Sequence, residues 1–377
     1  MRNILLVAAE NSAETYAVQV VREFAASGDG FHFWGIGGDR LAACGFENVV
    51  HNRSLAVVGI VEVVAHLLRI RRVMKRVLRL ALERRADAAL LIDYPDFNLR
   101  LARRLRRAGI PVFYYISPTV WAWRYGRVEQ IRRWVNRLFV IFPFEVPIYE
   151  KEGVTFTYTG HPLLAEVKVG ESREDFRRRH GVAGSDVLLA LLPGSRESEV
   201  RMLLPEIMAA VRRLQRELPL KVFLQKAQNI SPASLAPAGG DIRVLEQERG
   251  FDLLNAADAV ITTCGTSNLE AALLGVPFVA VYRVNRLTYL LGRRFVRISL
   301  YSIVNILAGR QVAVELIQGE CRAERIYEES RKILTDAVLR DGMRLEFRRI
   351  RESLRQEERP AAIIRRRMLE DLGIKGG

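Results

Sequence analysis

Two short turns contain the residue types best suited to binding a phosphate group. Each follows an apolar run that predicts a buried strand, over 187–192 and 259–263, and each precedes a segment of helical period. Their candidate binding residues are Gly194, Ser195 and Arg196 in the first turn, and Gly265, Thr266, Ser267 and the following Glu270 in the second. Backbone N–H groups and helix dipoles converge at the carboxyl edge of parallel strands, where arginine pairs with phosphate and a carboxylate accepts from ribose hydroxyls. The pattern predicts a nucleotide-diphosphate pocket.

Each turn also has an interpretation that needs no ligand. The spacing of Ser267 and Glu270 fits a helix capping box, and turns containing glycine and serine end many strands. Because both turns lie in one half of the chain, one with an arginine and the other with an acid, we favour the nucleotide pocket.

A third strand-end segment contains two aspartates. Asp93 ends a predicted strand over 88–93, and Asp96 precedes a predicted helix over 99–107. A carboxylate at a sheet edge can take a proton from a substrate hydroxyl, and an aspartate can equally cap a helix. We expect Asp93 to act as the base and Asp96 to cap the helix.

Further candidates follow other strands. Ser117, Trp121 and Trp123 leave the predicted strand over 112–116, and tryptophans at such an edge either line a sugar or acyl pocket or anchor the core. His161 follows the strand over 155–158, and a lone histidine is more often packed than catalytic.

The positive charge of the chain is concentrated in one segment. The formal net charge is +15, and residues 61–110 contain 13 Lys and Arg against 5 Asp and Glu. A basic amphipathic helix over 61–84 fits an anionic membrane surface, although a solvated helix face is the simpler alternative. We expect no nucleic-acid partner, because aromatic residues do not interleave with the basic ones. The predicted membrane surface comprises Val61, Val64, Leu67, Leu68, Arg69, Arg72, Arg76 and Arg79.

Composition excludes several classes of protein. No apolar run approaches the roughly 20 residues that span a bilayer, and polar residues interrupt the apolar N-terminus too early for a signal peptide. Three scattered cysteines and five histidines without ligand spacing predict neither a disulfide framework nor a metal site. These features indicate a cytoplasmic protein.

Strands and helices alternate along the chain, which predicts an α/β fold with two doubly wound, Rossmann-like domains facing a cleft. We expect an N-terminal domain over 1–165, a nucleotide-binding domain over 166–342, and C-terminal helices over 343–377 that return to the first domain. The remaining predicted strands cover 3–8, 31–36, 138–142, 221–225, 241–245 and 278–281. The remaining predicted helices cover 13–26, 128–134, 323–339, 343–356 and 361–372. Four further helices are predicted to begin near residues 198, 250, 267 and 286.

Several longer strings resemble one family. Ile-Asp-Tyr-Pro-Asp-Phe-Asn over 92–98 and Tyr-Ile-Ser-Pro-Thr-Val-Trp-Ala-Trp-Arg over 115–124 are highly specific, and Leu-Leu-Pro-Gly-Ser-Arg over 191–196 and Asn-Ile-Leu-Ala-Gly-Arg over 305–310 follow in order. Together they resemble the lipid-A-disaccharide synthase family, glycosyltransferases of lipopolysaccharide assembly with the GT-B fold. The resemblance runs over nearly the whole chain.

The resemblance implies a specific reaction. It is the transfer of 2,3-diacylglucosamine from UDP to 2,3-diacylglucosamine 1-phosphate (lipid X), with inversion, a β-1,6 linkage and release of UDP. Asp93 would be the base and Arg196 would stabilise the leaving diphosphate. Asn305 would lie near the nucleotide, and Glu10 and Ser12 would lie in a loop on the substrate side. Membership of this family would imply no cofactor and no metal. It would also imply that the enzyme binds peripherally to the anionic inner leaflet of the inner membrane. A homodimer is compatible with the family.

The first loop departs from the family pattern Gly-Glu-x-Ser-Gly-Asp. Ala9 and Ala13 replace the two glycines, and Glu14 replaces the aspartate. Alanine resists positive φ angles and a longer acid displaces its carboxylate, so we expect an altered substrate or acyl-chain preference, or weak activity. Asp39 stands where the family commonly has proline.

Three other functions are compatible with these residues. The chain could transfer the sugar of a UDP-sugar to a different acceptor and release UDP, or it could be a UDP-GlcNAc 2-epimerase, which would need no membrane. A catalytically silent, membrane-bound relative is the third alternative.

Overall fold

The chain forms two compact units. The computed structural model describes residues 2–28, 30–55, 63–239, 242–246, 250–285, 289 and 299–374. The first unit contains residues 1–162 and 354–377, and the second contains residues 163–353.

The first unit is built on a seven-stranded parallel sheet in the order β3-β2-β1-β4-β5-β6-β7. Its interior strands are runs of buried apolar residues, as expected for a parallel sheet covered on both faces. The strands are β1 (Arg2–Ala8), β2 (Phe31–Gly37), β3 (Glu47–His51), β4 (Ala88–Ile92), β5 (Val112–Tyr115), β6 (Arg137–Val140) and β7 (Phe156–Tyr158).

Helices pack on both faces of this sheet. Buried residues of α3, α4 and α5 form one core cluster, and those of α1 and the last helix, α15, form the other. The helices of this unit are α1 (Asn11–Ala26), α2 (Asp39–Ala42), α3 (Val63–Glu83), α4 (Pro95–Arg107), α5 (Arg127–Trp134), α6 (Val146–Lys151) and α15 (Pro360–Asp371).

The second unit repeats the design with a six-stranded parallel sheet in the order β10-β9-β8-β11-β12-β13. Its strands are β8 (Val187–Leu192), β9 (Leu220–Lys226), β10 (Arg243–Glu246), β11 (Ala259–Thr263), β12 (Phe278–Tyr282) and β13 (Glu315–Ile317). Its helices are α7 (Leu163–Glu166), α8 (Arg173–Arg179), α9 (Glu197–Leu214), α10 (Gly250–Ala256), α11 (Thr266–Leu273), α12 (Ile303–Ala308), α13 (Ala323–Thr335) and α14 (Ala337–Ser353).

The two parallel α/β units confirm the predicted fold class, and several predicted boundaries were wrong. The sequence reading missed β3 and β13, which are short edge strands with too few apolar residues to form a pattern. Residues 343–353, predicted to return to the first unit, belong to the second, because α14 is continuous from Ala337 and stacks Phe347 on Phe278. The helix predicted near Arg286 begins outside the described residues.

Candidate active site

Two carboxyl groups lie at the carboxyl edge of the first sheet. Glu10 follows β1 and Asp93 follows β4, and these two strands are neighbours. Burial and, to a smaller extent, the nearby Glu10 carboxylate raise the pKa of Asp93 to about 6, against the opposing effect of a hydrogen bond from the Tyr94 N–H. A carboxyl group with this pKa is mostly ionised at neutral pH and still basic enough to accept a proton.

The backbone that presents Asp93 adopts an uncommon conformation. Asp93 and Tyr94 have φ angles of 50° and 47°, in the left-handed region that residues other than glycine seldom occupy. Two side chains donate to the Asp93 carbonyl: the Tyr114 hydroxyl at 2.6 Å and the Asn98 amide at 2.7 Å. Asn98 is fully buried and also donates to the Ile92 carbonyl at 3.1 Å. The turn is therefore held in place by residues that sequence reasoning did not single out, although Asn98 ends one of the specific strings.

Asp96 does not cap the helix as predicted. Helix α4 begins at Pro95, so Asp96 lies within its first turn, and the N-cap residue is Tyr94. One oxygen of the Asp96 carboxylate accepts from Arg124 at 2.9 Å and from Arg127 at 2.6 Å. Asp96 is thus the centre of an arginine cluster. The residues next to Asp96 in the sequence do not predict this cluster.

The two tryptophans have different surroundings. Trp121 is half-buried and packs edge-on against Phe144, with ring centroids 5.2 Å apart. The Trp123 ring lies 4.3 Å from the Arg124 guanidinium carbon and 5.2 Å from that of Arg127, so both arginines make cation–π contacts with it. Trp123 therefore belongs to the cluster around Asp96.

Ser117 and His161 are buried within the first unit. The Ser117 hydroxyl hydrogen-bonds to the Tyr149 hydroxyl and donates to the Pro118 carbonyl at 2.9 Å. Burial lowers the pKa of His161 to about 3, and its ring packs against Phe142 and Tyr16. A histidine with this pKa stays neutral at physiological pH, so His161 does not carry positive charge to the site.

A buried acid near Ser117 was not predicted. Glu145 is 1% exposed, and burial raises its pKa to about 7. Its carboxyl group accepts from the Phe142 N–H at 3.1 Å and the Ile141 N–H at 3.3 Å, which partly offsets the cost of burial.

The altered first loop fits the fold without backbone strain. Ala9 and Ala13 are buried, and neither has a positive φ angle, so the expected penalty for replacing glycine does not arise here. Glu14 accepts from the Leu41 N–H and from the Asn52 amide, each at 3.1 Å, which ties α1 to the start of α2. Glu10 and Ser12 remain exposed at the start of α1.

Asp39 also has partners in this structure. It lies 3.1 Å from the His51 ring and 2.9 Å from Arg53, and the His51 hydrogen bond lowers the pKa of its carboxyl group. The residue that replaces proline thus links α2 to the last residue of β3 and to the segment that follows it.

In the second unit, the two predicted turns leave neighbouring strands, because β8 pairs with β11. Gly194 has a φ angle of 121°, and a Cβ atom there would lie 2.8 Å from a Glu199 oxygen and 3.5 Å from Thr263. Arg196 is mostly exposed, and its guanidinium pairs with the other Glu199 oxygen at 2.9 Å. Glu199 therefore supports the turn and holds Arg196, a role that sequence reasoning missed.

The second turn shows that Ser267 and Glu270 do not form the capping box. The N-cap of α11 is Gly265, whose N–H donates to the Asn268 side chain at 2.8 Å. Thr262 donates to the Ser267 hydroxyl at 2.7 Å, while Thr266 is exposed. Within the ranges that the structure describes, the Glu270 carboxyl group makes no hydrogen bond or ion pair, and burial raises its pKa to about 7. Glu270 is half-buried, so donors supplied by a ligand would stabilise its ionised form.

Asn305 is fully buried, and its side chain is fully hydrogen-bonded. It donates to the Ala313 carbonyl and the Glu315 carboxylate, both at 2.7 Å, and accepts from the Val312 and Ala313 N–H groups. These bonds join α12 to the segment that leads into β13. The structure therefore gives Asn305 a positioning role rather than a free amide for a ligand.

Helix α3 is amphipathic, as the sequence predicts. Val73, Met74 and Val77 are buried against the sheet. Leu68 is 49% exposed, and the exposed basic residues of the helix are Arg69, Arg71, Arg72, Lys75, Arg76 and Arg79. Val61 lies outside the described residues, as do the side chains of Val64 and Leu67.

The described part of the chain was searched for membrane-spanning helices and for clusters of metal-binding side chains. No helix there is both long enough and apolar enough to cross a membrane. No group of three or more His, Cys, Asp or Glu side chains there could hold a metal ion.

Comparison with known proteins points to one family. A family model described as lipid-A-disaccharide synthetase matches residues 4–365. The lipid-A-disaccharide synthase of Geobacter metallireducens is 40% identical over 381 residues, covering 99% of this chain and 98% of that protein. The enzyme of the same name from Myxococcus xanthus is 41% identical over 344 residues, covering 90% of each chain.

Solved structures with low sequence identity share the fold. The calicheamicin glycosyltransferase CalG4 superposes with a TM-score of 0.63 at 17% identity, covering 98% of both chains. MurG of Acinetobacter baumannii gives 0.57 at 17% identity, also covering 98% of both chains. The UDP co-structure of S. aureus MnaA gives 0.70 at 10% identity, covering 100% of this chain and 98% of that one.

Proposed function

The chain belongs to the lipid-A-disaccharide synthase family of glycosyltransferases, and on that premise we propose that it transfers 2,3-diacylglucosamine from UDP to 2,3-diacylglucosamine 1-phosphate. The product is the β-1,6-linked disaccharide 1-phosphate, and UDP is released. The main support for this proposal is the Asp93 carboxyl group. It is held in a strained turn beside Glu10, and its pKa is raised to about 6.

The first unit supplies the base. Asp93 takes the proton from the acceptor's 6-hydroxyl group as its oxygen attacks the anomeric carbon of the donor. The bond between that carbon and the diphosphate breaks, and its electron pair leaves with UDP. Attack from the side opposite the leaving group inverts the anomeric configuration. Burial of Asp93 makes it a stronger base than an exposed aspartate, which suits this role.

The second unit binds the nucleotide. The exposed Arg196 guanidinium pairs with the diphosphate and neutralises charge that develops as UDP leaves. The half-buried Glu270 carboxylate accepts from the two ribose hydroxyls, and these donors stabilise its ionised form. Gly265 and Thr266 are exposed at the start of α11, where the helix N-terminus attracts the phosphates.

Helix α3 docks the enzyme on the cytoplasmic face of the inner membrane, where both lipid substrates reside. Its exposed arginines attract anionic headgroups, and Leu68 adds apolar surface next to them. This arrangement also distinguishes the proposal from a 2-epimerase, whose soluble sugar nucleotide requires no membrane.

The decisive experiment is UDP release by the purified chain with UDP-2,3-diacylglucosamine, with and without 2,3-diacylglucosamine 1-phosphate in detergent micelles. We expect UDP release that depends on the acceptor, with a disaccharide of the expected mass by mass spectrometry. UDP binding without transfer to this acceptor would contradict the proposal and favour another acceptor or a silent relative. Conversion of UDP-GlcNAc to its 2-epimer would identify an epimerase.

A further inference from the structure

A pocket rich in arginine opens in the first unit beside the Asp93 turn. It has a volume of about 370 Å³ and lies where α4 and α5 begin. Its polar lining consists mainly of Asp96, Arg100, Arg124, Arg127 and Gln130, and we call it the arginine pocket. Three guanidinium groups face one carboxylate, so the lining has a net positive charge. An anion is therefore the kind of ligand that it fits.

Two of the arginines are fixed in position before any ligand binds. Asp96 accepts from both Arg124 and Arg127, and the Trp123 ring contacts both guanidinium groups. The Arg127 side chain is only 7% exposed. A guanidinium has five N–H donors and uses one of them here for Asp96, so each retains donors for a second anion. Fixing these long side chains beforehand reduces the entropy lost on binding.

The third arginine has no partner of its own. Within the described ranges of the chain, the Arg100 guanidinium makes no hydrogen bond or ion pair, although it lines the same pocket. The first turns of α4 and α5 also lack a side-chain cap, so their N–H groups add positive potential. Asp96 compensates only part of this charge.

The arginine pocket is close to the proposed base. Pro95, which lines it, is two residues beyond Asp93. Burial raises the pKa of the Tyr114 hydroxyl well above its usual value, the charge of Asp93 raises it further, and the charge of Arg127 lowers it. Both charges thus act on one hydroxyl group, which bonds directly to the Asp93 carbonyl. The pocket therefore adjoins the backbone turn that presents Asp93.

We propose that the arginine pocket binds a phosphomonoester, namely the anomeric phosphate of the acceptor sugar. This assignment rests on the proposed function, because it identifies which part of the acceptor the first unit recognises. Planar guanidinium groups match the oxygens of a phosphate and bind it through paired, charge-assisted hydrogen bonds. Binding there orients the sugar so that its 6-hydroxyl group approaches Asp93.

The kinetic test compares two acceptors, 2,3-diacylglucosamine 1-phosphate and the same lipid without its phosphate. For Arg100→Gln, Arg124→Gln and the double variant, we expect kcat/KM for the phosphorylated acceptor to fall at least about tenfold more than for the dephosphorylated one. Arg100→Lys should recover part of the loss. Arg103→Gln is the matched control, because Arg103 lies on the same helix against Trp134 and does not line the pocket. Equal losses for both acceptors, or no loss for either, would overturn the assignment.

A binding test separates this inference from the proposed reaction. Calorimetric titration of the full chain with glucosamine 1-phosphate should show binding that the Arg100→Gln Arg124→Gln variant loses and the Arg103→Gln variant retains. Inorganic phosphate should bind more weakly than the sugar phosphate, and equal affinities would contradict a site for the acceptor. If the sugar phosphate binds as expected while no disaccharide forms, the proposed transfer fails and the pocket stands. If it does not bind the wild-type chain, the pocket assignment fails even where transfer is observed.

Discussion

The Tyr114 hydroxyl donates a 2.6 Å hydrogen bond to the backbone carbonyl of Asp93. Tyr114 belongs to β5 and Asp93 follows the adjacent strand β4, so the bond crosses from one strand to the end of its neighbour. It stabilises a turn in which Asp93 has a φ angle of 50°. The position of the proposed base is therefore set by a residue that need not touch the substrate.

Replacing Tyr114 by phenylalanine should affect catalysis more than stability. Loss of one hydrogen bond should lower the free energy of unfolding by about 1 kcal/mol. The freed turn should lower kcat about tenfold, because small misplacements of a catalytic group are costly. Thermal unfolding and acceptor-dependent UDP release measure the two effects. Tyr115→Phe is the control, since Tyr115 neighbours Tyr114 on the strand but packs in the opposite core cluster. A kcat that matches the control would show that the bond does not position Asp93.

Asp93→Asn should remove turnover while leaving UDP binding nearly intact. General base catalysis typically contributes about 10²–10⁴-fold, and an amide cannot replace the carboxylate as a base. Disaccharide formation and UDP titration give the two measurements. Asp87→Asn is the matched control at the other end of β4, where Asp87 accepts from the Asn3 N–H at 2.7 Å. Unfolding together with loss of UDP binding would assign Asp93 a structural role.

The rate should depend on pH through Asp93. Its pKa is raised to about 6, so kcat/KM should fall as the pH drops below that value and the base becomes protonated. The neighbouring Glu10 carboxylate contributes to this rise, and Glu10→Gln should shift the acid limb of the profile to lower pH. Ser12→Ala provides a control in the same exposed segment of the first loop. An unshifted limb in Glu10→Gln would show that the two carboxyl groups are not coupled.

Glu270 should make nucleotide binding depend on both pH and the ribose. Burial raises the pKa of Glu270 to about 7, and the ionised form is the one that accepts from ribose hydroxyls. The preference for UDP over 2′,3′-dideoxy-UDP should therefore weaken as the pH falls below 7. The two nucleotides share the same titrating phosphates, so their ratio isolates the ribose. Glu270→Gln should reduce the preference about tenfold. Equal ratios for variant and wild type would place the ribose elsewhere.

Membrane binding should depend on the basic face of α3. Replacing Arg72, Arg76 and Arg79 by serine should weaken binding to anionic vesicles by on the order of 1 kcal/mol per charge. Sedimentation with vesicles of phosphatidylglycerol and phosphatidylethanolamine measures the change. The control replaces three exposed arginines of α14, in the second unit, by serine, which changes the net charge equally: Arg348, Arg349 and Arg351. If both triple variants bind alike, the docking surface is elsewhere.

Much of the architecture was predictable from local pattern. Runs of buried apolar residues separated by segments of helical period predict a parallel sheet, because each strand is covered on both faces and must be apolar throughout. Chemistry-bearing residues directly after such strands lie at one edge of a sheet by the geometry of the fold. For these reasons the α/β class, the turns at Gly194 and Gly265, and Asp93 as the candidate base were all predictable from the sequence alone.

The partners of these residues were not predictable from the sequence, because they come from elements that are distant in the chain. The bond from Tyr114 to Asp93, the pairing of Asp96 with Arg124 and Arg127, and the absence of strain at Ala9 depend on distances between separate elements. The hydrophobic periodicity of the sequence does not predict such distances. The partner of a side chain depends on strand order and helix packing rather than on the neighbouring residues in the chain. The same holds for the pKa values of Asp93 and Glu270, because desolvation depends on everything packed around a carboxyl group.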